Sequence, residues 1–234
     1  MIRPDVPTLR LLPLLALATI LGCGPSPRPE SPVPPKALLD SVASRALRAT
    51  MPDGPVRITF DYRLREADLR FRGRGVARVE PPYKVRIDLF TNQGENLFRA
   101  ALVEEELRIP PEVPTELAPP PALLWAALGV FRPDTGRRLE GGRASGEGRM
   151  LLRYKGGGGE EVRFRFEDGL LIRAEIREEG HLMEEVDLEW GEASPQRVVE
   201  TVYRNRALFV ELTFSLKSMD HVEVFPSYIW SPGG

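Results

Sequence analysis

Hydrophobic and polar residues alternate with a period of two along most of this chain. Val56, Ile58, Phe60, Tyr62 and Leu64 are separated by Arg57, Thr59, Asp61 and Arg63. Leu69, Phe71, Gly73, Gly75, Ala77 and Val79 alternate with Arg70, Arg72, Arg74, Val76 and Arg78. Tyr83, Val85, Ile87 and Leu89 alternate with Lys84, Arg86 and Asp88. Successive side chains of a strand point to opposite faces, so the pattern predicts antiparallel strands with one apolar and one wet face. Gly73 and Gly75 fall on the apolar side, where they leave room for a bend or a close neighbour. Residues 97–103 read as a more continuous apolar strand and 107–109 as a short one. A second set covers residues 149–154, 161–166, 170–178, 182–190, 197–205 and 208–218. Turn signals divide it: the Gly run 156–159, Asp168-Gly169, Glu179-Gly180, Ser194-Pro195 and Asn205-Arg206.

Two segments carry a helical pattern. In residues 37–50 the pairs Leu38/Leu39, Val42/Ala43 and Ala46/Leu47 recur four apart, and Asp40, Ser44, Arg45 and Arg48 fall largely on the other face. Pro52-Asp53-Gly54-Pro55 stops that helix. Residues 122–130, ALLWAALGV, read as a short and almost wholly apolar helix with Pro121 suited to its first turn. It is either a buried core helix or a lid over a hydrophobic cavity. The Pro-rich stretch before it and the polar, Gly-rich residues 133–148 after it read as loops. About eleven strands are many for a flat open sheet, so the sheet is expected to curl. The expected fold is mainly β: a curled antiparallel half-barrel whose concave apolar face is covered by the two helices.

The first residues are of another kind. LLPLLALATILGCG, from Leu11 to Gly24, follows a start containing Arg3 and Arg10. Its apolar run is shorter than the ~20 residues that span a bilayer and matches the core of a secretory signal. Ile20-Leu21-Gly22-Cys23 resembles the bacterial lipobox, and Cys23 is the chain's single cysteine. The resemblance implies cleavage before Cys23, lipidation of its thiol, three acyl chains in all on the mature lipoprotein, and, since Gly24 is not Asp, the outer membrane facing the periplasm. Residues 24–36, GPSPRPESPVPPK, read as a polyproline tether reaching roughly 40 Å. The expected organisation is a signal peptide over 1–22, a tether over 23–36 and one domain over 37–230.

Charge and candidate chemistry narrow the function. With 32 basic and 34 acidic residues, nothing favours nucleic acid as a partner. His181 and His221 sit at no metal-ligand spacing, and a site needs about three or four ligands. There is no Gly-x-Ser-x-Gly elbow, and residues 156–159 lack the Lys-Ser/Thr of a phosphate loop. Glu104, Glu105, Glu106 and Glu160-Glu161 read as solvated turns. No catalytic residue, metal site or cofactor is therefore assigned. Arg57, Arg63, Arg65, Arg70, Arg72, Arg74, Arg78 and Arg86 share the polar face of three successive strands. They read first as a solvated, ion-paired surface and second as a surface attracted to anionic headgroups.

The lipobox, the amphipathic first helix and FRGRGVARVEPPYKVRIDLFTNQGENLFRA together resemble the LolA/LolB-like lipoprotein carrier and receptor superfamily, especially its LolB-like outer-membrane branch. That resemblance implies a half-open barrel with an apolar cavity for acyl chains. The receptor branch also exposes an apolar residue after its third strand to meet the membrane; here that loop, residues 91–96, is TNQGEN. Candidate cavity residues are Phe60, Tyr62, Phe71, Val85, Ile87, Leu89, Phe164 and Phe166 on the sheet, with Leu124 and Trp125 on the apolar helix. The leading expectation is a membrane-anchored protein that binds lipid or lipoprotein acyl chains and is not an enzyme. The alternative is a structural or assembly lipoprotein that docks another envelope protein through a sheet edge or the arginine face.

Overall fold

The structure is a computed structural model that describes residues 35–111, 118–144, 148–192 and 197–232. The expected signal, Cys23 and nearly all of the tether lie outside the described residues. Helix α1 spans Lys36–Thr50 and ends at Met51, two residues before Asp53-Gly54-Pro55. Its apolar stripe buries Leu39 and half-buries Ala43, Ala46 and Leu47 against the core.

Strands β1 (Val56–Glu66), β2 (Leu69–Glu80), β3 (Lys84–Thr91), β4 (Asn96–Val103) and β5 (Glu106–Arg108) form a first meander. Helix α2 (Pro121–Ala126) follows. Then β6 (Arg138–Ala144), β7 (Met150–Lys155), β8 (Glu160–Glu167), β9 (Leu170–Glu178), β10 (His181–Trp190), β11 (Val198–Asn205) and β12 (Val210–His221) form a second. The meanders join where β1 pairs antiparallel with β12. The result is one open 12-stranded antiparallel sheet with β5 and β6 at its edges, curled as a half-barrel.

The strand absent from the sequence reading is β6, which lies within residues expected to be a loop. Its sequence RLEGGRA carries no apolar alternation. Gly142 explains why: a Cβ there would lie 2.7 Å from the Leu39 side chain, so the glycine lets α1 press onto the strand. Helix α2 is shorter than the expected 122–130. The Val130 amide donates to the Trp125 carbonyl at 3.1 Å and Gly129 to Ala126 at 2.8 Å, a Schellman closure. Gly129 sits at φ +80, which a residue with a Cβ adopts only under strain. The chain then turns and buries Val130 and Phe131.

Gly75 has the close neighbour its position implies: an ideal Cβ there would lie 2.2 Å from the Phe60 ring. Phe60 crosses Gly75 and meets Phe214 edge-on, with ring centroids 4.7 Å apart.

The outer face is a lattice of ion pairs. Glu175 and Glu185 face each other on β9 and β10 and are each covered by arginines: Arg165, Arg173 and Arg177 around the first, Arg173, Arg204 and Arg206 around the second. Burial alone would push the Glu175 carboxyl up, but Arg177, Arg165 and Arg173 outweigh it and hold its pKa below the usual range. On β3, Asp88 is 2% exposed although it points away from the core. The tail, which has no periodic pattern in sequence, packs a short 3-10 turn at Ser227–Trp230 against β3 and β4. There Arg86 bonds both Asp88, at 2.7 Å, and the Ile229 carbonyl.

Candidate functional site: a cavity under helix α2

Five of the six residues of α2, from Ala122 to Ala126, are buried, and Pro121 at its start is half-buried. The helix lies on the concave face, held in part by the Thr201 hydroxyl, which donates to the Ala127 carbonyl at 3.0 Å. The two sides of α2 differ. Toward β7 and β8 the space is filled by an aromatic cluster in which Phe131 meets Phe164 edge-on at 4.8 Å and Phe166 at 5.2 Å. Tyr154 closes it, with its pKa pushed up to about 12 by burial and by the nearby Asp40 charge. Toward β1, β2, β3 and β12 the space is open.

That opening is a cavity of about 260 Å³ lined by Leu64, Glu66, Phe71, Ile87, Leu89, Leu97, Phe98, Pro119, Leu124, Ala127, Val210, Leu212 and Phe214. Twelve of those side chains offer no charge, and the thirteenth, Glu66, is a carboxylate at the mouth. Its position follows from strand parity. Val56, Ile58, Phe60, Tyr62 and Leu64 all point inward, and the next inward residue is Glu66. Across the sheet Glu66 lies between Leu69 and Val210, and Leu64 lies between Phe71 and Leu212.

Of the ten cavity candidates from sequence, Phe71, Ile87, Leu89 and Leu124 line this cavity together. Phe60, Tyr62, Val85, Trp125, Phe164 and Phe166 are packed into the solid core instead. Phe60 is held over Gly75, Phe164 and Phe166 belong to the aromatic cluster, and Trp125 lies under Arg132 at 5.5 Å. The Tyr62 hydroxyl is buried without a hydrogen-bond partner, and burial pushes its pKa up. The wall residues not singled out from sequence are Leu64, Glu66, Leu97, Phe98, Pro119, Ala127, Val210, Leu212 and Phe214. The alternation marks Leu64, Val210, Leu212 and Phe214 as inward, but not Leu97 and Phe98, which are consecutive in a continuous apolar run where the register shifts. Nothing in the pattern marks which half of the face stays unfilled.

Elsewhere on the inner face, the Tyr203 hydroxyl donates to Glu184 at 2.7 Å. Burial, helped by the Glu160 and Glu178 charges, holds the Glu184 carboxyl above its usual range despite that bond. Among the described residues no three His, Cys, Asp or Glu side chains are placed to hold a metal ion. No helix among them is long and apolar enough to cross a membrane.

By sequence, no family model and no curated protein matches the chain. Solved structures do match in shape. One is a LolA superfamily protein from Nitrosomonas europaea, with a TM-score of 0.53 at 11% identity over 82% of this chain and 96% of that one. The chain has the LolA/LolB-like fold. A DUF1329 family protein from Desulfovibrio piger is similar at a TM-score of 0.52 and 7% identity, over 83% of this chain and 96% of its own. The LolA/LolB-like half-barrel named from the sequence is thus the architecture observed, with twelve strands rather than about eleven.

Proposed function

We propose that this chain is a membrane-anchored, non-enzymatic envelope lipoprotein whose cavity binds an acyl chain of a lipid or of another lipoprotein. The observation that carries the reading is the apolar cavity under α2, with its single carboxylate at the mouth, in a LolA/LolB-like fold. Burial is the driving force: each methylene taken from water contributes about 0.8 kcal/mol, and no nucleophile is needed. At about 260 Å³ the cavity lies just under the ~300–1,000 Å³ of sites for drug-sized ligands, so it suits a length of one alkyl chain rather than a whole triacyl group. Lipidation of Cys23, the tether after it and an outer-membrane, periplasm-facing location complete the proposal; they rest on the lipobox-like sequence.

The test is native mass spectrometry of the Cys23→Ser chain purified from cells, beside the same chain carrying Leu89→Trp. The expected result is a non-covalent acyl ligand on the first and none on the second, whose indole fills the cavity. An empty parent, or equal ligand on both, would sink the reading. For the anchor, unmodified Cys23 in the wild-type protein isolated from membranes would count against lipidation.

A further inference from the structure

Five of the eight outward arginines of β1–β3 are ion-paired: Arg57 with Asp220, Arg63 with Glu200, Arg65 with Glu211, and Arg78 and Arg86 with Asp88. Arg70, Arg72 and Arg74 are exposed and, among the described residues, carry no ion pair. The register makes this costly. Arg65 stands directly opposite Arg70, and Arg63 opposite Arg72. Like charges directly opposite across strands destabilise a sheet. On β9 and β10 the same problem, Glu175 against Glu185, is solved with five arginines, of which Arg173 pairs with both carboxylates. At the β1–β2 tip Arg63 and Arg65 find acids on β11 and β12, whereas Arg70 and Arg72 opposite them have none among the described residues. Asp61, opposite Arg74, is engaged by Lys217 at 2.9 Å on its other side.

The same end of the sheet also exposes apolar side chains. Leu69 and Phe71 occupy the inner face of the β1–β2 tip and are 56% and 39% exposed. Glu66 pairs in register with Val210, so the turn between β11 and β12 lies beside that tip. In this turn Leu208 is 42% and Phe209 79% exposed. Phe209 sits at φ +54, a backbone region that disfavours bulky side chains. Neither burial nor local conformation accounts for a phenylalanine there. Val210, the next residue, and Phe71, two strands away at the same end of the sheet, line the cavity. The acids at these tips are Glu66, which faces the cavity, Asp68 in the turn, and Glu211, which is taken up by Arg65 and Arg204.

We propose that this end of the sheet docks on an anionic bilayer surface. Phe209, Leu208 and Leu69 enter the headgroup boundary, and Arg70, Arg72 and Arg74 meet lipid phosphates. The mouth of the cavity then opens on lipid. Charge complementarity commits the surface to this occupant. Free guanidiniums flanking exposed apolar tips match a surface that is anionic outside and hydrocarbon just below. Docking is independent of what fills the cavity, so the two proposals fail separately.

The experiment uses the full chain with Cys23→Ser, so that no acyl anchor contributes, and a single bimane probe at Phe209→Cys. An identical chain carries the probe at Asp53→Cys, an exposed turn residue at the opposite end of β1. Residues 1–22 are present in both, so a difference between the positions reads the domain. The vesicles are phosphatidylethanolamine with a minority of phosphatidylglycerol, or phosphatidylcholine alone, each with nitroxide-bearing lipid. The expected result is quenching at position 209 on the anionic vesicles only, and none at position 53. Arg70→Gln, Arg72→Gln and Arg74→Gln should each weaken partitioning about five-fold, and added salt should do the same. Phe209→Asn, which suits the turn's backbone, should also weaken it without lowering the thermal transition. Equal quenching at both positions, no preference for the anionic lipid, or no response to the arginine changes would overturn the proposal. So would shielding of position 209 by an added envelope protein extract and not by vesicles, which would make the surface a protein interface.

Discussion

Glu175 and Glu185 stand directly opposite each other on β9 and β10, and each is only 1% exposed. Two facing carboxylates taken from water are tolerable only because arginines arch over them. Arg173 is the shared one: it lies 2.9 Å from Glu175 and also pairs with Glu185 and with Asp187. Removing one partner of a buried pair leaves an uncompensated charge. Arg173→Ala should therefore destabilise the fold by about 3 kcal/mol in urea. Arg72→Ala, from the exposed and unpaired set, should stay within about 0.5 kcal/mol of the parent. Equal effects would mean that the outer lattice is surface decoration.

Gly75 and Phe60 form a coupled pair. A methyl at Gly75 meets the Phe60 ring at 2.2 Å, and that ring is fixed against Phe214. Gly75→Ala should cost about 2 kcal/mol through overpacking. In the Phe60→Leu background most of that cost should vanish, giving a coupling energy above ~1 kcal/mol in a double-mutant cycle. Additive costs would show that the clash is relieved elsewhere.

Two carboxylates give the stability opposite pH dependences. Glu184 has its folded pKa raised by burial and by Glu160 and Glu178, so the folded state holds its proton longer than the unfolded chain does. Its contribution is present below the ordinary value of 4.5 and is lost as pH rises through the folded pKa. Glu175 is held low, so its contribution is present above 4.5 and is lost as pH falls through its folded pKa. Glu184→Gln should flatten the loss on the upper side alone, measured as unfolding midpoints across the acid range. A profile that Glu184→Gln leaves unchanged would remove Glu184 as its source.

The filled and open sides of α2 should respond differently to truncation. Phe164→Ala, in the aromatic cluster, should cost about 3–5 kcal/mol. Leu97→Ala, at the half-buried cavity wall, should cost less than ~2 kcal/mol, because it enlarges a space that already exists. Comparable losses would place the two in one continuous packed core.

The strands were legible because their faces differ in solvent: a period of two in Val56–Glu66 or Leu170–Glu178 has no other simple cause. What alternation reports is the face, not what stands above it. Phe60 and Leu89 have the same parity and the same apolar character, yet one is sealed against Gly75 and the other lines the cavity. That difference depends on where α2 comes to rest, which is a matter of tertiary packing. β6 was hidden for a related reason. Its Gly142 answers to α1, which is distant in sequence, and its Gly141 leaves room for the Arg153 side chain of β7. Asp88 read as a solvated residue because the tail that covers it has no pattern of its own.

The seam between β1 and β12 sets an order of events. Thr59 and Ser218, 159 residues apart in the chain, share a hydrogen bond of 2.8 Å at the middle of the sheet. Pairings of such long range close late, because the loop entropy must be lost before the contact forms. A chain made from its N-terminus therefore carries β1 as an open edge until β12, the last strand, arrives. Neither meander completes the half-barrel alone, so the concave face, and any ligand it takes, waits for β12.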